Sequence, residues 1–85
     1  MITSKIEIKN KVGLHARPAS QFVREAQKYE SDIRIKFNGR EINGKSILEV
    51  LSLGADCGTE IEATANGADE QQALEALKRI GAEDT

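Results

Sequence analysis

Strict alternation of apolar and polar residues marks four short segments of this chain. In Thr3–Lys9, Ile6 and Ile8 fall on one side and Lys5, Glu7 and Lys9 on the other, the pattern of a half-buried strand. Asp32–Phe37 sets Ile33, Ile35 and Phe37 against Asp32, Arg34 and Lys36. Asn38-Gly39 follows, a strong two-residue hairpin signal, and Arg40–Asn43 returns with Ile42 as its one core candidate before Asn43-Gly44 breaks it. Thr59–Ala65 alternates through Ile61, Ala63 and Ala65 until Asn66-Gly67 turns the chain. Elsewhere the apolar spacing changes to three and four, which predicts helices. Ala16, Ala19, Phe22, Val23, Ala26 and Tyr29 share one face of a helix that begins near Ala16 and ends between Lys28 and Ser31. Ala73, Leu74, Ala76, Leu77 and Ile80 stripe a second helix, ended by Gly81 and opened by a capping box of Asp69 and Gln72. Glu83-Asp84-Thr85 reads as a frayed tail.

A third helix is short and has an unusual surface. Ser46-Ile47-Leu48-Glu49 forms a capping box, in which the serine oxygen accepts from the Glu49 N–H while the Glu49 carboxylate reaches back. The turns that follow carry Ile47, Leu48, Val50, Leu51 and Leu53, apolar on too many sides for one core. Two turns against a single core bury roughly half of such side chains. The remainder is expected to lie exposed as an apolar cluster, which marks a docking surface. The whole order is strand, helix, strand, strand, helix, strand, helix, with no linker or repeat between elements. Alternating strands imply a sheet with one buried face, and the helices must cover it. The expected fold is a single α+β domain over residues 1–85, a two-layer sandwich open on one side.

Composition narrows the class of function. The 85 residues hold 31% charged and 39% hydrophobic side chains, an ordinary balance for a folded soluble domain. A net charge of −2 gives no reason to expect a nucleic-acid partner. No apolar run approaches the length of a membrane span and no signal-peptide core opens the chain, so direct membrane insertion is not expected. Cys57 is the only cysteine, which excludes an internal disulfide and suits a reducing, cytoplasmic setting. It has no nearby ligating partner in sequence, and one histidine with one cysteine cannot supply a metal centre or a hydrolase. Neither a metal nor a cofactor is expected.

The chemistry concentrates in Gly13-Leu14-His15-Ala16-Arg17-Pro18, which holds the only histidine and the only proline. Gly13 permits a bend, and Pro18 falls within the first helical turn, where a missing N–H costs little. His15 then stands at or just before the start of the first helix. Free N–H groups and the positive end of the helix dipole make an anion site there, with the Ala16 and Arg17 backbone amides as its cradle. Arg17 adds a permanent cation able to grip phosphate through two parallel hydrogen bonds. The same field favours the neutral imidazole, the form able to attack phosphorus. A solvated histidine beside a helix cap has the same local sequence, and residue types alone leave the two readings open.

Gly13-Leu14-His15-Ala16-Arg17-Pro18-Ala19 resembles the active-site signature of HPr, the histidine-containing phosphocarrier family of the bacterial phosphotransferase system. Gly44-Lys45-Ser46-Ile47, followed by Leu51-Ser52-Leu53-Gly54, is similar to the family's second signature at the expected distance. The resemblance spans essentially the whole chain. It implies a four-stranded antiparallel sheet with three helices on one face, and a carrier rather than an enzyme. Enzyme I, charged from phosphoenolpyruvate, would phosphorylate Nδ1 of His15, and an EIIA protein or domain would receive the group in carbohydrate uptake. Arg17 would hold the phosphate at each transfer. Both partners would dock on one face through Ser20 and Arg24 of the first helix and Ile47, Leu48 and Leu51 of the short one, with the carrier working as a monomer. Ser46 matches a regulatory serine that a dedicated HPr kinase/phosphorylase modifies. Glu49 departs from the pattern, since small or basic residues are usual there, and it would repel a phosphate on Ser46. Two alternatives keep the fold. One is a carrier in a nitrogen-type, dihydroxyacetone-kinase or regulatory relay; the other is a binding module controlled by phosphorylation of Ser46.

Overall fold

Seven elements follow one another in the order expected: β1 (Ile2–Glu7), α1 (Ala16–Gln27), β2 (Asp32–Phe37), β3 (Arg40–Asn43), α2 (Ile47–Ser52), β4 (Glu60–Asn66) and α3 (Glu70–Ala82). The computed structural model describes residues 1–9, 16–54 and 58–82, apart from the side chains of Ala16, Arg17 and Ala82. The readings placed on the loop at 10–15, on Cys57 and on the tail at 83–85 lie outside these residues. All strand pairs are antiparallel, and the sheet order is β1-β4-β2-β3.

Alternation along each strand places Ile6, Ile33, Ile35, Ile42, Ile61, Ala63 and Ala65 on the covered face, all buried. Phe37, at the end of β2, is only half-buried and packs at the edge of this core. The opposite face is wet. Across it, Lys5, Glu62, Lys36 and Glu41 stand in register on β1, β4, β2 and β3, so charge alternates over the full width of the sheet. Opposite charges on neighbouring strands favour this pairing and suit an uncovered surface. The turn between β2 and β3 has positive φ at Asn38 (54°) and Gly39 (82°), the conformation that makes Asn-Gly a hairpin connector.

The helices supply the cover. From α1 come Ala19, Phe22, Val23 and Ala26, and from α3 come Ala73, Leu74 and Leu77. Alanines on both layers let backbones approach closely. The first strand was expected to run to Lys9. Its assigned span ends at Glu7, although Ile8 N–H still donates to Thr59 (2.8 Å) and Ile8 C=O accepts from Gly58 (2.7 Å). Lys9 leaves the sheet because its N–H donates to the Gly81 carbonyl (2.9 Å), one of the acceptors that a helix end leaves free.

Two terminus readings need correction. Gly81 lies inside the last turn of α3 rather than ending it, and a Cβ there would meet Ile6 Cγ2 at 2.5 Å. Its role is close approach to β1. The expected Asp69–Gln72 box is also not formed. Asp69 instead accepts from Glu30 N–H (2.9 Å), Ser31 N–H (3.0 Å) and the Ser31 hydroxyl, tying the start of α3 to the turn before β2. Ser31 is buried, and a buried hydroxyl needs a partner. Glu70 takes over part of the cap, accepting from Gly67 N–H (3.3 Å).

Two outcomes follow from these contacts. Gly81→Ala sets a helix-propensity gain of about 1 kcal/mol against an overpacking cost of about 1–3 kcal/mol. Ile6 is only 2% exposed and cannot yield, so urea unfolding is expected to show net destabilisation; a more stable variant would contradict the contact. The Ser31 hydroxyl, followed by the Glu30 N–H, favours the carboxylate form and holds Asp69 below its ordinary pKa of 3.8. A depressed folded value means stability that is present above the unfolded pKa and is lost as pH falls through the folded one. The stability gap between wild type and Asp69→Asn should therefore be constant above about pH 5 and shrink in more acid solution. A gap unchanged down to about pH 2.5 would contradict it.

Candidate functional site

The first helix begins at Ala16, the residue after the only histidine, with Pro18 buried in its first turn. No acidic residue occupies that turn, so no side chain of the helix itself competes for its positive end. His15 lies outside the described residues, as does the Arg17 side chain. What the fold contributes is the platform: a twelve-residue helix anchored by Phe22, Val23 and Ala26, whose first residue directly follows His15 in sequence.

Beside this helix lies α2. Ser46 is its N-cap in extended conformation (φ −109°, ψ 116°), and its Oγ accepts from Glu49 N–H over a long 3.5 Å. The second half of the expected capping box is absent. Ser46 N–H donates instead to Asn43 C=O (3.2 Å), and the Glu49 carboxylate accepts from Asn43 N–H (3.3 Å). The turn before the helix has thus supplied a carbonyl for Ser46 and a donor for Glu49. Gln27 Nε2 donates to the Lys45 carbonyl (3.1 Å), and Lys45 Nζ donates to the Tyr29 carbonyl (2.7 Å). These two bonds fasten the end of α1 to the start of α2. Lys45 adds a cation at a helix C-terminus, which the dipole favours.

The apolar surplus of α2 divides cleanly. Val50 (0%) and Leu53 (7%) enter the core, whereas Ile47 (37%), Leu48 (77%) and Leu51 (37%) remain exposed. Half-buried Ser20 and exposed Arg24 belong to α1, the neighbouring helix. Arg24 lines a shallow depression with Gln21, Glu25 and Lys28 of its own helix and Ile80 of α3. The docking residues expected from sequence therefore occupy two adjacent helices. Arg40, which pattern reading leaves as an ordinary strand residue, also reaches this region. Its guanidinium donates to the Ser52 carbonyl (2.7 Å) and hydroxyl (3.0 Å) at the end of α2. A link across twelve residues between a strand and a helix has no periodic signal.

Among the described residues no group of three or more His, Cys, Asp or Glu is placed to hold a metal ion, and no helix is long and apolar enough to cross a membrane. The exposure pattern makes a direct prediction. Leu48→Ser should leave unfolding stability within about 0.5 kcal/mol, whereas Val50→Ala should cost about 1–3 kcal/mol. Equal losses in denaturant titration would mean that Leu48 is covered in solution.

Comparison with known proteins places this geometry. The family model described as the PTS HPr component phosphorylation site matches residues 2–83. The HPr-like protein Crh of Bacillus subtilis (strain 168) is 46% identical over 77 residues, 91% of each chain. Phosphocarrier protein HPr of Buchnera aphidicola subsp. Acyrthosiphon pisum is 42% identical over 80 residues, 94% of each. Among solved structures, HPr of Thermoanaerobacter tengcongensis superposes with a TM-score of 0.92 at 43% identity, covering 95% of this chain and 91% of its own. A crystal structure of Bacillus subtilis Crh, described as a catabolite repression protein and a swapped dimer, gives a TM-score of 0.78 at 42% identity over 100% and 98% of the two chains.

Proposed function

Because the chain belongs to the HPr family, we propose that it relays a phosphoryl group from phosphorylated enzyme I, through His15, to EIIA proteins or domains in carbohydrate uptake. One observation carries the reading: the only histidine immediately precedes the start of α1, inside a match to the family's phosphorylation-site model. In the proposed step, Nδ1 of His15 forms a bond to phosphorus as the donor's bond to that phosphorus breaks. The second transfer reverses these roles toward EIIA. The Ala16 and Arg17 amides and the Arg17 side chain stabilise the phosphate charge, and this reaction asks the protein for little more than positioning and charge. Ser20 and Arg24 together with Ile47, Leu48 and Leu51 form the shared docking face. A single domain working as a monomer in the cytoplasm leaves that face open to each partner in turn, although Crh of Bacillus subtilis is described as a swapped dimer.

The test is intact-mass spectrometry after incubation with enzyme I, Mg²⁺ and phosphoenolpyruvate. Wild type should gain one acid-labile phosphate of about 80 Da, and His15→Ala should gain none. A folded wild-type chain that stays unmodified, beside a control carrier that is charged, would overturn the relay.

A second reading is favoured by the 46% identity with an HPr-like protein from an organism whose Crh is described as a catabolite repression protein. There a kinase/phosphorylase would modify Ser46, and the phosphorylated α2 face would engage a regulatory partner. The long Glu49-to-Ser46 bond leaves the hydroxyl loosely held, which suits modification. Under this reading Ser46→Ala abolishes the partner complex and His15→Ala does not.

A further inference from the structure

The docking face depends on a helix too short to hold itself. A six-residue α2 makes very few internal bonds, and nucleation alone disfavours it in water. Its N-terminal end is fastened to α1 through Lys45, as described above. Its C-terminal end is held from β3. Arg40, the first residue of β3 after the Asn38-Gly39 turn, places Nη1 on the Ser52 carbonyl (2.7 Å) and Nη2 on the Ser52 hydroxyl (3.0 Å). That hydroxyl in turn donates to the Glu49 carbonyl (2.6 Å). One planar cation thus satisfies a terminal carbonyl that the helix leaves unpaired and, through Ser52, braces a second. Its charge also complements the negative end of the helix dipole. Ser52 follows Leu48 by one turn on the same side, and Leu51 immediately precedes it, so the clamp closes beside exposed apolar residues of α2.

We propose that Arg40 is a positioning residue for partner docking: by clamping the end of α2 it holds Leu48 and Leu51 in the arrangement a partner receives. The proposal rests on the carrier reading for its partner. Preorganisation of this kind removes an ordering cost that binding would otherwise bear. Arg40 takes no part in the phosphoryl step, so its removal weakens docking and leaves the chemistry intact.

Three variants separate the clamp from a bare charge effect. Arg40→Gln removes the cation and the fork, Ser52→Ala removes the hydroxyl link at constant charge, and Arg34→Gln removes an equivalent exposed cation that pairs with Asp32 on the open sheet face. With the chain pre-phosphorylated and titrated into an EIIA domain, Arg40→Gln should raise KM about fivefold and Ser52→Ala about two- to threefold, with kcat unchanged. Arg34→Gln should match wild type. Amide exchange in the unphosphorylated chain should quicken at Leu51, Ser52 and Leu53 in the first two variants and nowhere else. An unchanged KM in Arg40→Gln, a fall in kcat, or an equal effect of Arg34→Gln would overturn the proposal, as would unchanged exchange at the end of α2. A wild-type chain that accepts no phosphate would instead refute the carrier reading and the docking role with it, while the exchange measurement still decides whether the clamp exists.

Discussion

A sheet with one apolar face is the constraint from which the rest follows. Ile6, Ile33, Ile35, Ile61, Ala63 and Ala65 are buried on one side, while Lys5, Glu62, Lys36 and Glu41 line the other in register. Helices must therefore collect on a single face. There α1 and α3 are held by full apolar stripes, and α2 is fitted beside α1 with only Val50 and Leu53 as anchors. The start of α1 and the exposed side of α2 consequently belong to the same layer. The contacts that join the two helices run from the end of α1, at Gln27 and Tyr29, to Lys45 just before α2.

This surface gains its definition from polar ties more than from burial. Lys45 on the Tyr29 carbonyl and Arg40 on Ser52 fix α2 at both ends, and the Asp69 carboxylate fixes the turn that leads from α1 into β2. Each tie satisfies backbone groups that a helix end or a turn leaves without partners. Apolar residues can then remain exposed on α2 without the helix losing its place. A modest, exposed patch also suits a carrier, since a partner that must be released cannot be held by a large buried interface.

Much of this was legible in the sequence. Alternation identifies the strands and their inner faces, spacing identifies the helices, and the apolar surplus of Ile47, Leu48, Val50, Leu51 and Leu53 predicts an exposed cluster, although the pattern does not say which of the five form it. The strand order was not legible, because β4 enters between β1 and β2 through pairings that leave no local trace. Cap partners were misread for a related reason. Asp69 and Glu49 sit at the right spacing for capping boxes, but donors from Glu30, Ser31 and Asn43 reach them first. Gly81 looked like a helix stop and serves contact with Ile6 instead. The chemistry expected of His15 is read from local sequence alone, whereas the Arg40 contact leaves no local trace because its partner lies in another element.

The central claim is relay, and it is tested most directly by following the phosphate off the chain. Radiolabelled protein, charged at His15 and purified away from enzyme I, is mixed with an EIIA domain and sampled over time. The account predicts that label leaves this chain and appears on EIIA in matching amounts, with none released as free phosphate. Label that stays on the chain, or that passes to water with no labelled EIIA, would contradict it.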